Sequence, residues 1–256
     1  MIDPRAVVSP QAQVAPGVEI GPFSIIGAEV SIDSGTWIGP HAVINGPTQI
    51  GKDNKIFQFA SLGTAPQDKK YNGEPTRLHI GDRNVFREFC TVNRGTVLDR
   101  GVTQIGNDNL LMSYSHVGHD CTLGDNIVMS NVATLGGHVE IGDCVNLGGL
   151  SAVHQHTKVG AYCFIGNNAA VTRDVPPYIL AVGQPAIPHS VNIVGLQRRG
   201  FTPEQVLNIR RAYRLLYRSG LKLQAAMDRL EEAAATQPEI RPFVDFIKSS
   251  TRSIVR

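Results

Sequence analysis

An aliphatic side chain recurs every sixth residue through two-thirds of this chain. The series starts at Val8, Val14, Ile20, Ile26, Ile32, Ile38, Ile44, Ile50, Ile56 and Leu62. It pauses, resumes at Ile80, Phe86, Val92 and Leu98, and shifts phase by one residue. It then runs from Ile105 through Leu111, Val117, Leu123, Met129, Leu135, Ile141, Leu147, Val153, Val159 and Ile165 to Val171. With 42% of residues apolar, chance would fill all these positions on the order of once in 10¹⁰ trials. A period of six is not the 3.6-residue period of a helix. It fits a short extended run followed by a tight corner, with one inward plug per run. Small or β-branched residues two places before the plug (Ala12, Ser24, Thr36, Ala42, Ala133, Ser151, Ala169) and Gly just after it (Gly21, Gly27, Gly39, Gly51, Gly124, Gly142, Gly166) complete the motif.

Three such runs close a triangular coil of 18 residues. Stacked coils make parallel sheets at about 4.8 Å spacing, so roughly nine coils give a prism about 43 Å tall. Between Leu62 and Ile80 the polar stretch GTAPQDKKYNGEPTRLH (63–79) carries no plug and is expected to be an external loop, the usual place for specificity on a rigid scaffold. A smaller excursion is expected near 99–104. Cys90, Cys121 and Cys163 fall in the small-residue slot and read as packing residues. The four cysteines form no CxxC pair and read as reduced thiols.

The repeat ends at DVPPY (174–178), and a Pro-rich link, AVGQPAIPHS, follows. Thr202-Pro203-Glu204-Gln205 then reads as a capping box with Pro at the first helical position. Further helices are expected over about 222–235 and 239–249. The domain reading is therefore 1–190 for the prism and 191–256 for a small helical domain. Charge divides at the same place: residues 1–190 carry net −4 and residues 191–256 net +6. A basic domain suits an anionic partner. No apolar run is long enough to span a bilayer, and the N-terminal residues do not read as a signal peptide.

Coil arithmetic stacks residues i, i+18 and i+36. His119, Gly137 and Gln155 form one column, and Asp120, His138 and His156 the next. Five of the eight histidines lie between 116 and 156. Imidazole is the side chain best suited to general-base work near neutral pH, and a carboxylate beside it can orient the ring. Gly137 could present a bare backbone N–H to an oxyanion. The H-x-x-H pair His116 and His119 leaves zinc open as a competing reading, since stacked histidines can build a tetrahedral site. A non-catalytic scaffold is a further alternative.

The six-residue repeat resembles the hexapeptide-repeat family, whose left-handed parallel β-helix sets the fold expectation: an all-β coil followed by a small α-helical domain. Within it, QDKKYNGEPTRL (67–78), NRGT (93–96), DNLLMSYSHVGHDC (108–121), LGGHVEIGD (135–143), AVHQ (152–155), DVPPY and VNIVGLQRRGF (191–201) resemble the UDP-N-acetylglucosamine O-acyltransferases. That resemblance implies transfer of a (R)-3-hydroxyacyl group from acyl carrier protein to the sugar 3-hydroxyl, the opening step of lipid A synthesis, by a cytoplasmic homotrimer. It places the catalytic base on His119 with Asp120 as partner, and the oxyanion donor on Gly137. It places substrate contacts on Gln67, Asp68, Lys70, His116, His138, His154 and Gln155, and nucleotide contacts on Asn192, Arg198 and Arg199. Asn167 falls on the acyl-chain ruler, where Gly would leave a deeper groove. Val194 stands where relatives often carry Glu. A thioester is already activated, so the reaction calls for no metal or cofactor. The basic residues Arg210, Arg211, Arg214, Arg218 and Lys222 are expected to dock the acidic carrier protein. The sibling N-acyltransferases of the same pathway carry a domain ahead of their repeats, whereas here the repeat begins by residue 8.

Overall fold

The computed structural model describes all 256 residues. It is a left-handed parallel β-helix with helices at its C-terminal end. Most strands are two residues long, beginning with Val7–Val8, Gln13–Val14 and Glu19–Ile20. Each feeds a different face, so three sheets of nine, eight and ten strands, parallel except for the last strand of the third, enclose the core. The first face takes the strands that pair Val7 with Ile25, the second those that pair Gln13 with Ser31, and the third those that pair Glu19 with Trp37. Each pairing joins a strand to the one a full turn of the coil further on, as the six-residue period requires.

The plugs fill the axis. Ile38, Ile44, Ile50, Ile56, Leu62, Phe86, Leu111 and Leu147 are fully buried. Cys90, Cys121 and Cys163 are buried too, and burial pushes each thiol up to about 12. Leu98 breaks the series: it is exposed, because it lies on a turn outside the coil.

Two insertions set the register. Ser61 pairs with Thr91, and Thr91 in turn with His116. A regular turn from Ser61 would have ended at His79, and one from Thr91 at Asn109. Both coils are therefore overlong, the first more than the second. The external loop is 65–76, shorter than expected, because Ser61–Thr64 and Arg77–Ile80 are strands and Leu78 is a buried plug. The second excursion occupies 94–101 rather than 99–104, since Val102–Ile105 is already a strand.

Corners between faces force left-handed backbone angles on bulky residues. At the corner leading into the first face, Phe23, His41, Phe59, Phe89, Tyr114, Val132 and Leu150 all have φ between 57° and 65°. The aromatic members stack in a ladder with ring centroids 4.8–5.3 Å apart. Most of this ladder is exposed.

The expected Pro-rich link is instead a hairpin. Ile179–Val182 extends the third sheet, and Ile187–Val191 pairs with it antiparallel, closing the sheet edge that would otherwise continue the coil. Asn192 caps α1 (Ile193–Arg198) through Gly195 N–H and donates its amide to Tyr162 O at 2.9 Å. α2 spans Pro203–Tyr217 with both bonds of the Thr202–Gln205 capping box formed. α3 covers Leu223–Ala234 and α4 Arg241–Ser249. The apolar core is continuous from coil to helices. The C-terminal residues fold back: Ser250 Oγ donates to the buried Asp174 carboxylate at 2.5 Å, and Val255 N–H to Asp174 O at 2.8 Å.

Candidate active site

The corner between the first and second faces carries His119, Asp120, Gly137, His138, Gln155 and His156. The stacking order follows from the register of successive coils: His138 N–H donates to His119 O, and His156 N–H to Gly137 O. A cavity of about 570 Å³ opens over this corner. Its walls are Gln67, Asp68, Lys69 and Lys70 of the 65–76 loop, Leu98 of the second insertion, and His119, His138, Gln155 and His156.

His119 is held from below. Its Nδ1 lies 2.8 Å from Asp120 Oδ2. An ionised carboxylate only accepts, so Nδ1 carries the proton and the neutral ring keeps a lone pair on Nε2. Asp120 is buried, yet it accepts from Thr96 N–H at 2.9 and 3.0 Å and from Thr96 Oγ1 at 2.7 Å. Burial opposes its ionisation, but the bonds from His119 and Thr96 and the nearby His138 prevail and hold the carboxyl below its usual range. His138 stands edge-on to His119 with centroids 5.0 Å apart, and its Nδ1 meets Asp99 Oδ2 at 2.8 Å. His156 stacks on His138 at 4.3 Å.

Gly137 sits against the His119 ring. A Cβ built there would lie 2.6 Å from His119 Cε1 and Nε2, so any side chain at this position would force the ring to move. The Gly137 N–H makes no hydrogen bond within the chain and remains free to donate.

Other expected residues are distributed differently. His116 lies in the strand His116–Val117 on the first face, and its Nδ1 is 2.7 Å from Thr91 Oγ1. The one His/Asp group close enough to share an ion is His119, Asp120 and His138, and its atoms are already hydrogen-bonded to one another and to Thr96 and Asp99. His154 is exposed, with Nδ1 3.1 Å from Gln155 O, which also accepts from Arg252 at 2.7 Å. Asn192, Arg198 and Arg199 line a second cavity of about 400 Å³ with Cys144, Tyr162 and Val194. That cavity is at the corner between the second and third faces, and Arg199 reaches Asn126 there at 3.2 Å. Asn167 lies at the opposite edge of the first face from His119, where its Oδ1 accepts from Gly149 N–H at 3.0 Å. Arg210 and Arg214 of α2 and Arg218 at its C-cap share a pocket with His189 and Tyr213, whereas Arg211 turns toward Asn208.

Sequence reasoning passed over Thr96 and Asp99. A signal was available: the plug series changes phase between Leu98 and Ile105. Ile80 pairs with Ile105, further along the chain than a regular turn reaches, so the surplus had to leave the coil beside His119.

The C-terminal part of the chain, residues 174–255, matches the family model described as UDP-N-acetylglucosamine O-acyltransferase, domain 2. The whole chain is 52% identical to an acyl-[acyl-carrier-protein]–UDP-N-acetylglucosamine O-acyltransferase of Thiobacillus denitrificans, covering all of this chain and 99% of that protein. Among solved structures, the UDP-N-acetylglucosamine acyltransferase of Francisella novicida superposes with a TM-score of 0.98 at 42% identity, over all of this chain and 94% of its own. The Arabidopsis enzyme does so with a TM-score of 0.86 at 30% identity, over 100% and 99%. Fold and length agree throughout, and the chain belongs to the acyl-[acyl-carrier-protein]–UDP-N-acetylglucosamine O-acyltransferase family.

Proposed function

We propose that this protein transfers a (R)-3-hydroxyacyl group from acyl carrier protein to the 3-hydroxyl of UDP-N-acetylglucosamine, the first step of lipid A synthesis, with His119 as the general base. The observation that carries the assignment is the Asp120–His119 pair beneath the unspent Gly137 amide, facing the 570 Å³ cavity. His119 Nε2 takes the proton of the sugar hydroxyl as its oxygen attacks the thioester carbon. The carbonyl oxygen becomes an oxyanion and accepts from Gly137 N–H. Collapse breaks the C–S bond, and the imidazolium returns the proton to the leaving sulfur. Asp120 keeps the ring in one tautomer and stabilises its cation.

Gln67, Asp68 and Lys70 would hold the sugar nucleotide and acyl chain over His119, with His116, His138, His154 and Gln155 as further contacts. Asn192, Arg198 and Arg199 would bind the nucleotide, the guanidinium groups suiting its pyrophosphate. Their cavity is on another corner, so a homotrimer in which a neighbouring copy brings it to His119 accounts for both halves. The exposed aromatic ladder supports such an assembly. Acidic carrier protein would dock on Arg210, Arg211, Arg214 and Arg218, in the cytoplasm. No helix is long and apolar enough to cross a membrane.

A transfer assay with UDP-N-acetylglucosamine and 3-hydroxyacyl carrier protein tests the reading. His119→Ala should lower kcat by about 10²–10⁴-fold; activity within about tenfold of the wild type would overturn the base assignment.

A further inference from the structure

The insertion at 94–101 joins the 65–76 loop to Asp120 and His138 of the corner. At its start, Arg94 donates to Gly46 O at 3.2 Å, Gly63 O at 2.9 Å and the Tyr71 hydroxyl at 2.9 Å. Tyr71 in turn donates to Glu74 O at 2.8 Å. The larger loop is thereby tied to the insertion. Gly95 leaves no room for a side chain: a Cβ would lie 2.3 Å from Val102 N and 2.7 Å from Asp120 Oδ1. Thr96, 2% exposed, gives Asp120 its two backbone contacts and its hydroxyl bond. Asp99 then reaches over to His138.

We infer that this insertion is a positioning device for the base, in which Thr96 and Asp99 together keep the Asp120 carboxylate committed to His119. The inference rests on the reading of His119 as the base. Asp120 Oδ2 faces two imidazoles, His119 Nδ1 at 2.8 Å and His138 Nε2 at 3.9 Å. Only one can be its close partner. The Thr96 hydroxyl fixes the carboxylate plane at the His119 side. Asp99 accepts from His138 Nδ1–H, and a His138 ring so held carries no proton on Nε2 when it is neutral, and so does not compete. Without either contact, Asp120 is free to swing to His138, and His119 loses the bond that selects its tautomer.

The test uses the full chain with Thr96→Val, which keeps the shape and removes the hydroxyl, Thr96→Ser, which restores it, and Asp99→Ala at the exposed end. Thr96→Val should lower kcat by roughly ten- to a hundredfold with KM little changed, and Thr96→Ser should recover most of it. The acidic limb of the pH–kcat profile should move in Thr96→Val and Asp99→Ala and stay in Thr96→Ser. The titratable and charged groups around this corner are Asp120, His138 and His156 on the coil, His116 on the adjoining strand, Asp99 on the insertion, and Asp68, Lys69 and Lys70 on the loop. Independently of activity, ¹⁵N spectra of the imidazoles should show one Nδ1–H tautomer for His119 in the wild type and a mixture in the two damaging variants. Wild-type kcat, limb and tautomer in Thr96→Val and Asp99→Ala would overturn the inference, as would equal losses in Thr96→Val and Thr96→Ser. Should Thr96→Val not fold, Asp99→Ala decides alone. If His119→Ala were active, the reading of the base would fail, while the tautomer spectra would still decide the positioning.

Discussion

Replacing Gly137 by Ala adds one methyl group at the point where the imidazole rests on the backbone. The new Cβ would be 2.6 Å from His119 Cε1 and Nε2, whereas ordinary contact begins at 3.4 Å. The ring must therefore retreat by about 0.8 Å. A retreat of that size disturbs the 2.8 Å bond to Asp120, because a hydrogen bond tolerates little change in distance or angle. A misplacement near 1 Å typically costs about 10²-fold in rate. The Gly137 φ is not in the left-handed region, so alanine introduces no backbone strain, and its N–H remains available to the oxyanion. The loss should fall on kcat, with KM and melting temperature close to wild type. Gly149→Ala is the control, since only Asn131 O lies near, at 3.5 Å. Steady-state transfer kinetics on both variants decide the matter. A Gly137→Ala kcat close to that of the wild type, or an equal loss in Gly149→Ala, would refute the steric argument.

Two further outcomes follow from named contacts. Asn167→Gly removes the side chain that accepts from Gly149 N–H and fills the edge of the first face, so the preferred acyl donor should lengthen in a panel of 3-hydroxyacyl carrier proteins; an unchanged preference would dismiss Asn167 as the ruler. The hydrogen bonds from Arg87, then from the Glu88 backbone N–H and from Ser113, hold the Glu88 carboxyl down at about 2. A depressed carboxylate stabilises the fold fully above its unfolded value of about 4.3 and loses that contribution as pH falls toward the folded value. The melting-temperature gap between wild type and Glu88→Gln should therefore be constant above about pH 5 and close between about pH 4 and 2; a gap that persisted under the most acidic conditions would contradict the assignment.

The plugs, the three-sided coil and the stacking of His119 beneath Gly137 were legible in the residues alone, because a six-residue period allows only one way to bury an aliphatic side chain on every turn. Leu98 shows where that legibility stops: it kept the period and the apolar character but lies outside the coil, since a plug is defined by the register of the chain above and below it. For Thr96 and Asp99 the phase change shows that an insertion is present, but not what it touches. Nothing in their own sequence points to Asp120 or His138; the length of an insertion brings them there. The hairpin at 179–191 replaced an expected link because a Pro-rich segment can still pair along a free sheet edge. Periodicity along the chain thus determined the scaffold and its columns, whereas the contacts across the corner, and the separation of Arg198 and Arg199 from His119, depend on distances between segments far apart in sequence and were decided only by the folded coil.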